Sequence, residues 1–400
     1  MPGWNLADVW ETIATTAPER AALVHGDRRV TWAAFDRRAA AIAATLIADG
    51  AARDDKVAIY LHNRPEYLET TFAAAKVALV PVNTNYRYLE DELVYLWDNA
   101  DAVAVVFEGR FADRIDAVRA RVPKVRTWLW VDDDTGTCPD WAHPYEKAAE
   151  SGTRPDPTWT RSGDDLVMIY TGGTTGIPKG VMWRHDDLFR AFNTQGDPDV
   201  ADLGVVAERA RRPNHPVGMP ACPLMHGTGF LIALNQLNQA GTVVTLRAAS
   251  FDAAELLDTV EREAVTVLAI VGDSFARPLV ATLDEQPGRW DLTSLKLIMS
   301  SGVMWSAPVK QGLLRHAPDV LLADLLGSTE ALGMGSSVTS GRGGASTASF
   351  ELGANAIVLD DDDRPVVAGS GVVGRLAVKS ITPVGYYKDP DKSARTFKEI

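Results

Sequence analysis

Short β-favouring runs alternate with stretches of helical spacing along this chain, and that alternation limits it to few architectures. Residues 56–60, 78–82 and 102–107 are compact apolar runs, and residues 34–49, 65–76 and 89–99 carry apolar side chains three and four apart. Strand, helix and strand in series predict right-handed crossovers and a largely parallel sheet. The pattern returns with strands predicted at 241–246, 265–270, 295–299 and 320–322, and with helices at 253–263, 275–283 and 308–316. Four hundred residues exceed the usual size of a single core. The expected architecture is therefore α/β, with two α/β subdomains facing one another.

From about Gly333 the texture changes. Residues 333–346 are rich in Gly and Ser, and two short alternating segments, 355–359 and 373–378, are joined by a turn at 360–365. This predicts a small antiparallel β unit beginning between Gly333 and Phe350. The expected division is a first α/β subdomain over 1–180, a second over 181–335 and the antiparallel unit over 336–400.

Composition excludes some function classes. The formal net charge of -13 argues against wrapping nucleic acid. No apolar run has the length of an integral membrane segment, and the start of the chain lacks a signal-peptide pattern. Cys138 and Cys222 lie far apart without metal or redox spacing, so a reducing cytoplasm is the expected compartment. The basic cluster Arg209, Arg211 and Arg212 lies in a Pro/Asp/Gly-rich stretch and reads as a solvated loop.

The richest local signal spans residues 170–180, Tyr-Thr-Gly-Gly-Thr-Thr-Gly-Ile-Pro-Lys-Gly, directly after the apolar run 166–169. It reads as a buried strand emptying into a loop. Gly172, Gly173 and Gly176 let backbone approach a ligand closely. Thr171, Thr174 and Thr175 add hydroxyl donors, and Lys179 adds positive charge. Such a loop suits a polyphosphate. It departs from the common P-loop pattern, because Pro178 precedes the lysine and Gly180 follows it. Trp183, Arg184 and His185, just beyond, read as the start of a structural helix.

With these residues in view, the chain resembles the adenylate-forming superfamily of acyl-CoA synthetases, luciferases and adenylation domains. The resemblance extends over nearly the whole length. Residues 325–330, Leu-Leu-Gly-Ser-Thr-Glu, are similar to the family's second nucleotide motif, and residues 300–304, Ser-Ser-Gly-Val-Met, to its adenine-side loop. Residues 223–227, Pro-Leu-Met-His-Gly, are similar to the segment with the acyl-pocket histidine. Residues 385–390, Gly-Tyr-Tyr-Lys-Asp-Pro, are similar to the stretch before the family's hinge. The resemblance implies that the antiparallel unit is a small distorted β-barrel. It also implies that the family's small C-terminal domain, with its catalytic lysine, lies beyond Ile400, so the chain reads as the large domain.

The reaction implied is ATP-dependent activation of a carboxylic acid to an acyl-adenylate, followed by thioester formation with CoA. By the same resemblance Thr329 bonds the α-phosphate, and Glu330, with Thr171, holds Mg²⁺. Lys179 and the glycine–threonine loop serve the β- and γ-phosphates. Adenine lies against Ser301, Gly302, Val303 and Met304, with Asp324 accepting from its amine and Leu325, Leu326, Gly327 and Ser328 beside it. Leu326 stands where most relatives have an aromatic residue, so the base is covered by an aliphatic face. Asp324 also fits a strand-end cap. The acyl pocket is expected from His226, Phe230, Val271, Gly272, Asp273, Ser300, Ala331 and Met334, with fatty or steroid-side-chain acids as substrates. Two other readings stay open. An aryl-acid adenylating enzyme or an ATP-dependent diazotase acting on nitrite would favour a small polar pocket centred on Asp273. A catalytically idle nucleotide-binding module would fit Leu326 and the early end of the chain. A homodimer is compatible with all three.

Overall fold

The computed structural model describes residues 3–172, 177–193, 202–341, 343, 345–379 and 381–398. Asn5 starts the first helix, α1 (Leu6–Thr16), by accepting from the Ala7 amide while Asp8 reaches back to the Asn5 N–H. A hairpin of β1 (Ala21–His25) and β2 (Arg28–Thr31) leads into α2 (Trp32–Ala48), which Thr31 caps. The alternating series follows: β3 (Lys56–Tyr60), α3 (Pro65–Lys76), β4 (Val80–Asn83), α4 (Glu90–Asn99), β5 (Ala102–Glu108), α5 (Ala112–Val118) and β6 (Thr127–Val131). Next come β7 (His143–Pro144), α6 (Tyr145–Ala149), β8 (Leu166–Thr171), β9 (Lys179–Arg184), α7 (His185–Asn193) and α8 (Leu203–Arg211). The second series is β10 (Val217–Pro220), α9 (Gly227–Asn238), β11 (Thr242–Thr245), α10 (Ala253–Arg262), β12 (Val267–Ile270), α11 (Gly272–Glu285), β13 (Leu297–Ser301), α12 (Ala307–His316) and β14 (Leu321–Leu326). The described chain closes with β15 (Gly335–Thr339), β16 (Glu351–Leu352), β17 (Ala356–Leu359), β18 (Arg375–Val378), β19 (Gly385–Tyr386) and α13 (Pro390–Thr396).

Two largely parallel sheets result, as the alternation predicts. One has the order β19-β9-β8-β4-β3-β5-β6-β7 and is antiparallel only at the β8–β9–β19 end. The other has the order β16-β15-β14-β13-β12-β10-β11-β1-β2, parallel from β14 to β1 and antiparallel at both edges. The β1–β2 hairpin, from the start of the chain, thus completes the sheet built by the second series. Alternate residues of a strand serve different cores. Val57 and Ile59 join a central apolar cluster, whereas Ala58 and Tyr60 join an outer one. Side chains of α1, α2, α3 and α9 fill the central cluster, which therefore lies between the sheets. Helices α10, α11 and α12 cover the outer face of the second sheet, and α4 and α5 that of the first.

Two expectations need revision. Trp183 and Arg184 end strand β9, and the helix begins only at His185, because Trp183 pairs with Val167 and buries fully in the central core. The basic cluster is not a solvated loop: Leu203–Arg211 is a helix. Asp202 caps it by accepting from Gly204 and Val205, and buried Arg209 reaches Asn193 and the Asn238 carbonyl. Of the small barrel expected after Gly333, the described residues form an antiparallel pair, β17–β18, while β15, β16 and β19 extend the two large sheets. A closed barrel is not seen among them.

Candidate active site

Parallel strands β12, β13 and β14 run side by side, so the loops after Ile270, Ser301 and Leu326 emerge along one sheet edge. Ligands collect at that edge in open α/β sheets. After β13, Gly302 turns the chain with φ of 88°, a left-handed conformation that suits glycine. The turn leaves Val303 and Met304 half exposed and sinks Trp305 completely. The result is an apolar shelf with a buried anchor.

The turn at 271–273 braces this shelf. Gly272 has φ of 50°, its N–H donates to Ser300 Oγ at 2.8 Å, and the Asp273 N–H donates to the Met304 carbonyl at 3.1 Å. A Cβ at Gly272 would lie 2.5 Å from the Met304 oxygen. The Asp273 carboxylate accepts from the Ser306 N–H at 2.9 Å and from Arg277 at 2.8 Å. These contacts, with burial opposing them, hold its pKa below the usual range. Of the expected pocket residues, Val271, Gly272, Asp273 and Ser300 therefore gather beside the turn at 302–305. Phe230 is buried in the central core, with its ring centroid 5.9 Å from that of Tyr67.

Beyond β14, Gly327 to Ala331 form a tight turn in which Ser328 and Ala331 exchange backbone hydrogen bonds. The Trp183 indole N–H, from the opposite sheet, donates to the Thr329 carbonyl at 2.8 Å. Thr329 Oγ1 lies so close to Gly227 that a Cβ there would sit 2.9 Å from it. Glu330 Oε1 accepts from the Tyr386 hydroxyl at 2.8 Å. The turn is thus held by β9, β19 and the start of α9. Met334 lies partly buried just before β15, and Leu325 and Leu326 end β14 paired with Ser336 and Gly335.

His226 is the N-cap residue of α9, and its ring makes no capping hydrogen bond. It is exposed at the cleft yet close enough to protein that desolvation, with Arg87 adding positive charge, lowers its pKa. The imidazole is neutral at neutral pH. Strands β8 and β9 form a hairpin with Thr171 opposite Lys179. Gly173, Thr174, Thr175 and Gly176 of its loop lie outside the described residues. Lys179 is ion-paired with Asp389, the N-cap of α13, and the Tyr95 hydroxyl donates to the Pro178 carbonyl at 3.2 Å.

Asp324 lies within β14, paired in register with Ser300 and Ser337, and is buried. Its Oδ2 accepts from Lys310 at 3.3 Å. Burial raises its pKa and the ammonium opposes the rise. A plain strand-end cap does not describe it, since its partner is a fully buried cation.

Two residues that tie the segments around the candidate site together were not singled out as site residues from the sequence. Asn63, just past β3, donates to the Pro220 and Cys222 carbonyls and accepts from the Leu224 N–H at 2.7 Å. Asn83, ending β4, donates to the Tyr170 and Met225 carbonyls and accepts from the Tyr170 N–H at 2.6 Å. An asparagine at the end of a parallel strand, facing no helix cap, is the available signal.

A cavity of about 400 Å³ opens elsewhere, among His25, Arg28, His62, Arg64, Glu108, Arg110, Asp133 and Arg247, and includes none of the predicted residues. Its arginines pair with neighbouring carboxylates, Arg28 with Glu66 and Arg110 with Asp133, and His62 Nδ1 lies 2.7 Å from Glu108 Oε2. It is a balanced network with no excess charge to draw an anionic substrate, so the chemistry is better placed at the edge of β12–β14.

Comparison with known proteins agrees with this geometry. A ligase of Mycobacterium tuberculosis named medium/long-chain-fatty-acid–CoA/3-oxocholest-4-en-26-oate–CoA ligase is 37% identical over 407 residues, covering 99% of this chain and 73% of that relative. A 3-oxocholest-4-en-26-oate–CoA ligase of Rhodococcus rhodochrous is 34% identical over 411 residues, again covering 99% of this chain and 73% of the relative. The crystal structure of an anthranilate CoA ligase in complex with anthranoyl-AMP matches with a TM-score of 0.83 at 18% identity, covering all of this chain and 74% of that one. Residues 10–387 match the family described as AMP-binding enzyme, and with this site at the strand ends the chain belongs to it.

Proposed function

We infer that the protein activates a medium- or long-chain fatty acid, or a steroid-side-chain acid, with ATP and passes the acyl group to CoA. The observation that carries this reading is the convergence of Thr329 and Glu330 with the β8–β9 hairpin and the start of α9. The names of the relatives supply the acid class and the acceptor.

In the first step a carboxylate oxygen attacks the α-phosphorus of ATP, and the bond to the bridging oxygen breaks with release of pyrophosphate. In the second, the CoA sulfur attacks the acyl carbonyl, the thiol proton leaves, and AMP departs. An anion must approach a polyanion, so positioning and charge neutralisation dominate. Thr329 offers a hydroxyl to the α-phosphate from a turn whose carbonyl is pinned by Trp183. Lys179 and Thr171 flank the loop for the outer phosphates. Neutral His226 borders the acyl carboxylate's approach without adding charge, and the Val303–Met304 shelf covers the base. Among the described residues no three His, Cys, Asp or Glu side chains group as a metal site. Glu330, with one oxygen bonded to Tyr386, suits Mg²⁺ shared with substrate phosphates, which is how that ion is commonly held. Bound there, Mg²⁺ would neutralise phosphate charge.

Engagement of Asp273 by Ser306 and Arg277 weighs against the nitrite reading, since that carboxylate does not centre an open polar pocket. The test is ATP–pyrophosphate exchange across a carboxylic-acid panel that includes aryl acids and nitrite. Exchange is expected with fatty or steroid-side-chain acids. Exchange with nitrite or aryl acids alone would overturn the acyl reading, and no exchange with any acid would favour an idle module.

A further inference from the structure

Lys310, on α12, is fully buried, an unusual place for an ammonium. Its Nζ donates to Asp324 Oδ2 at 3.3 Å and to the Ser346 carbonyl at 3.0 Å, and it lies 5.4 Å from the centre of the Trp305 ring. Lys310 engages Oδ2 of that carboxylate and not Oδ1. The carboxylate thus has one oxygen tied to a cation from behind and one not held by it, on the strand next to the adenine-side loop. A lone carboxyl at this depth would tend to take up a proton and become a donor as well as an acceptor. A carboxylate held against an ammonium can only accept.

We propose that Lys310 is the positioning residue that fixes Asp324 as an acceptor for the 6-amino group of a purine, so that the buried pair selects ATP over 6-oxopurine triphosphates. The inference rests on the reading that Asp324 faces the base. Adenine presents an N–H donor at position 6, whereas hypoxanthine and guanine present a carbonyl that would face a carboxylate oxygen without a proton between them. A hydrogen bond to a charged acceptor, set against such a clash, corresponds to about a ten- to hundredfold preference.

The test is the ratio of ATP to ITP affinities in four variants, each checked for native unfolding behaviour. Wild type should prefer ATP by about ten- to a hundredfold. In Lys310→Met the preference should fall to within a few-fold of unity. Asp324→Asn alone should favour ITP, because the ammonium holds the amide oxygen and turns the NH₂ toward the base. The double variant Asp324→Asn/Lys310→Met should lose the ITP preference and come to within a few-fold of unity, since the amide is free to flip and can meet either purine. The last variant, Asp324→Leu/Lys310→Met, should lose all preference. If that variant keeps the wild-type ratio, Asp324 does not read the base and the underlying site assignment fails. If it loses the ratio while Lys310→Met keeps it, or if Asp324→Asn does not turn toward ITP, the assignment stands and the role of Lys310 is refuted. Should Lys310→Met not fold, the reversal in Asp324→Asn and its relief in the double variant decide the matter.

Discussion

Replacing Gly227 by alanine probes the candidate site with one methyl group. Gly227 opens α9 and its conformation is not left-handed, so alanine is permitted there. Alanine also suits a helix better than glycine by up to about 1 kcal/mol, less at a first turn, so stability should hold or rise by a few tenths. The added Cβ, however, would lie 2.9 Å from Thr329 Oγ1, and among the described residues Leu231, at 4.0 Å, is its only other neighbour. Thr329 cannot retreat as a unit, because the Trp183 indole holds its carbonyl at 2.8 Å. Relief must come from rotation about χ1, which swings the hydroxyl away, and a β-branched residue has few other places to put it.

If that hydroxyl bonds the α-phosphate, its loss costs about 1.5–3 kcal/mol, or about a ten- to hundredfold drop in adenylation. ATP–pyrophosphate exchange gives kcat and KM, and thermal unfolding gives stability. The decisive comparison is a double-mutant cycle. In a Thr329→Ala background no hydroxyl remains to displace, so Gly227→Ala should cost nothing more, and the coupling should equal nearly the whole single-mutant loss. Additive losses, or an unchanged exchange rate in a stable Gly227→Ala protein, would refute the placement of Thr329.

Three further outcomes are expected. Glu330→Gln preserves the bond from Tyr386, since an amide carbonyl still accepts, but should raise the Mg²⁺ needed for half-maximal exchange about tenfold or more; an unchanged Mg²⁺ titration removes Glu330 from the metal role. Gly272→Ala meets both a left-handed backbone and carbonyl oxygens at 2.5 and 2.7 Å, so it should destabilise by about 3 kcal/mol or more, read from the urea midpoint, and weaken nucleotide binding with it. His185 is fully buried and accepts at Nδ1 from the Leu6 N–H; burial, the main cause, with Arg161 adding repulsion, pushes its pKa down to about 3. The unfolded chain takes up this proton near pH 6.5 and the folded one does not, so stability should fall as pH drops below 6.5 and level off near 3. The loss at pH 5 is about 2 kcal/mol, and His185→Gln should flatten the wild-type slope between pH 7 and 5.

Legibility in the sequence followed the clarity of the periodic signal. Strands 56–60 and 102–107 and helix 65–76 were readable because short β-branched runs and a proline-started amphipathic stretch leave few alternatives. Helix α9 was not, since Gly227–Asn238 is apolar on most faces: it passes between two sheets and buries Phe230, Leu231, Leu234 and Leu237 together, which erases the amphipathic stripe. The β1–β2 hairpin was missed because its partner, β11, lies 220 residues away in sequence and no local pattern announces such pairing. At the site, loop glycines and the Thr329–Glu330 pair were legible as motifs. The Lys310–Asp324 pair was not, because nothing local distinguishes a buried lysine from the surface lysine a helix usually carries.

Asn83 shows why the site needs both sheets at once. Tyr170 leads into the glycine–threonine loop, Met225 immediately precedes His226, and one amide side chain bonds the backbone of both. Buried loop backbone must find partners, and here the side-chain amide acts as a splice between a strand of the first sheet and a connection of the second. Asn63 repeats the device upstream, bonding Pro220, Cys222 and Leu224. In these contacts each amide bonds main chain alone, so aspartate would lose the donors and leucine everything. The end of β8 at Tyr170 and the segment just before His226 are consequently set relative to one another by hydrogen-bond lengths, not by the slack of a long connection. That coupling is what in-line attack of a carboxylate on a phosphorus held by a different chain segment requires, because a misplacement of an ångström is enough to cost about a hundredfold in rate.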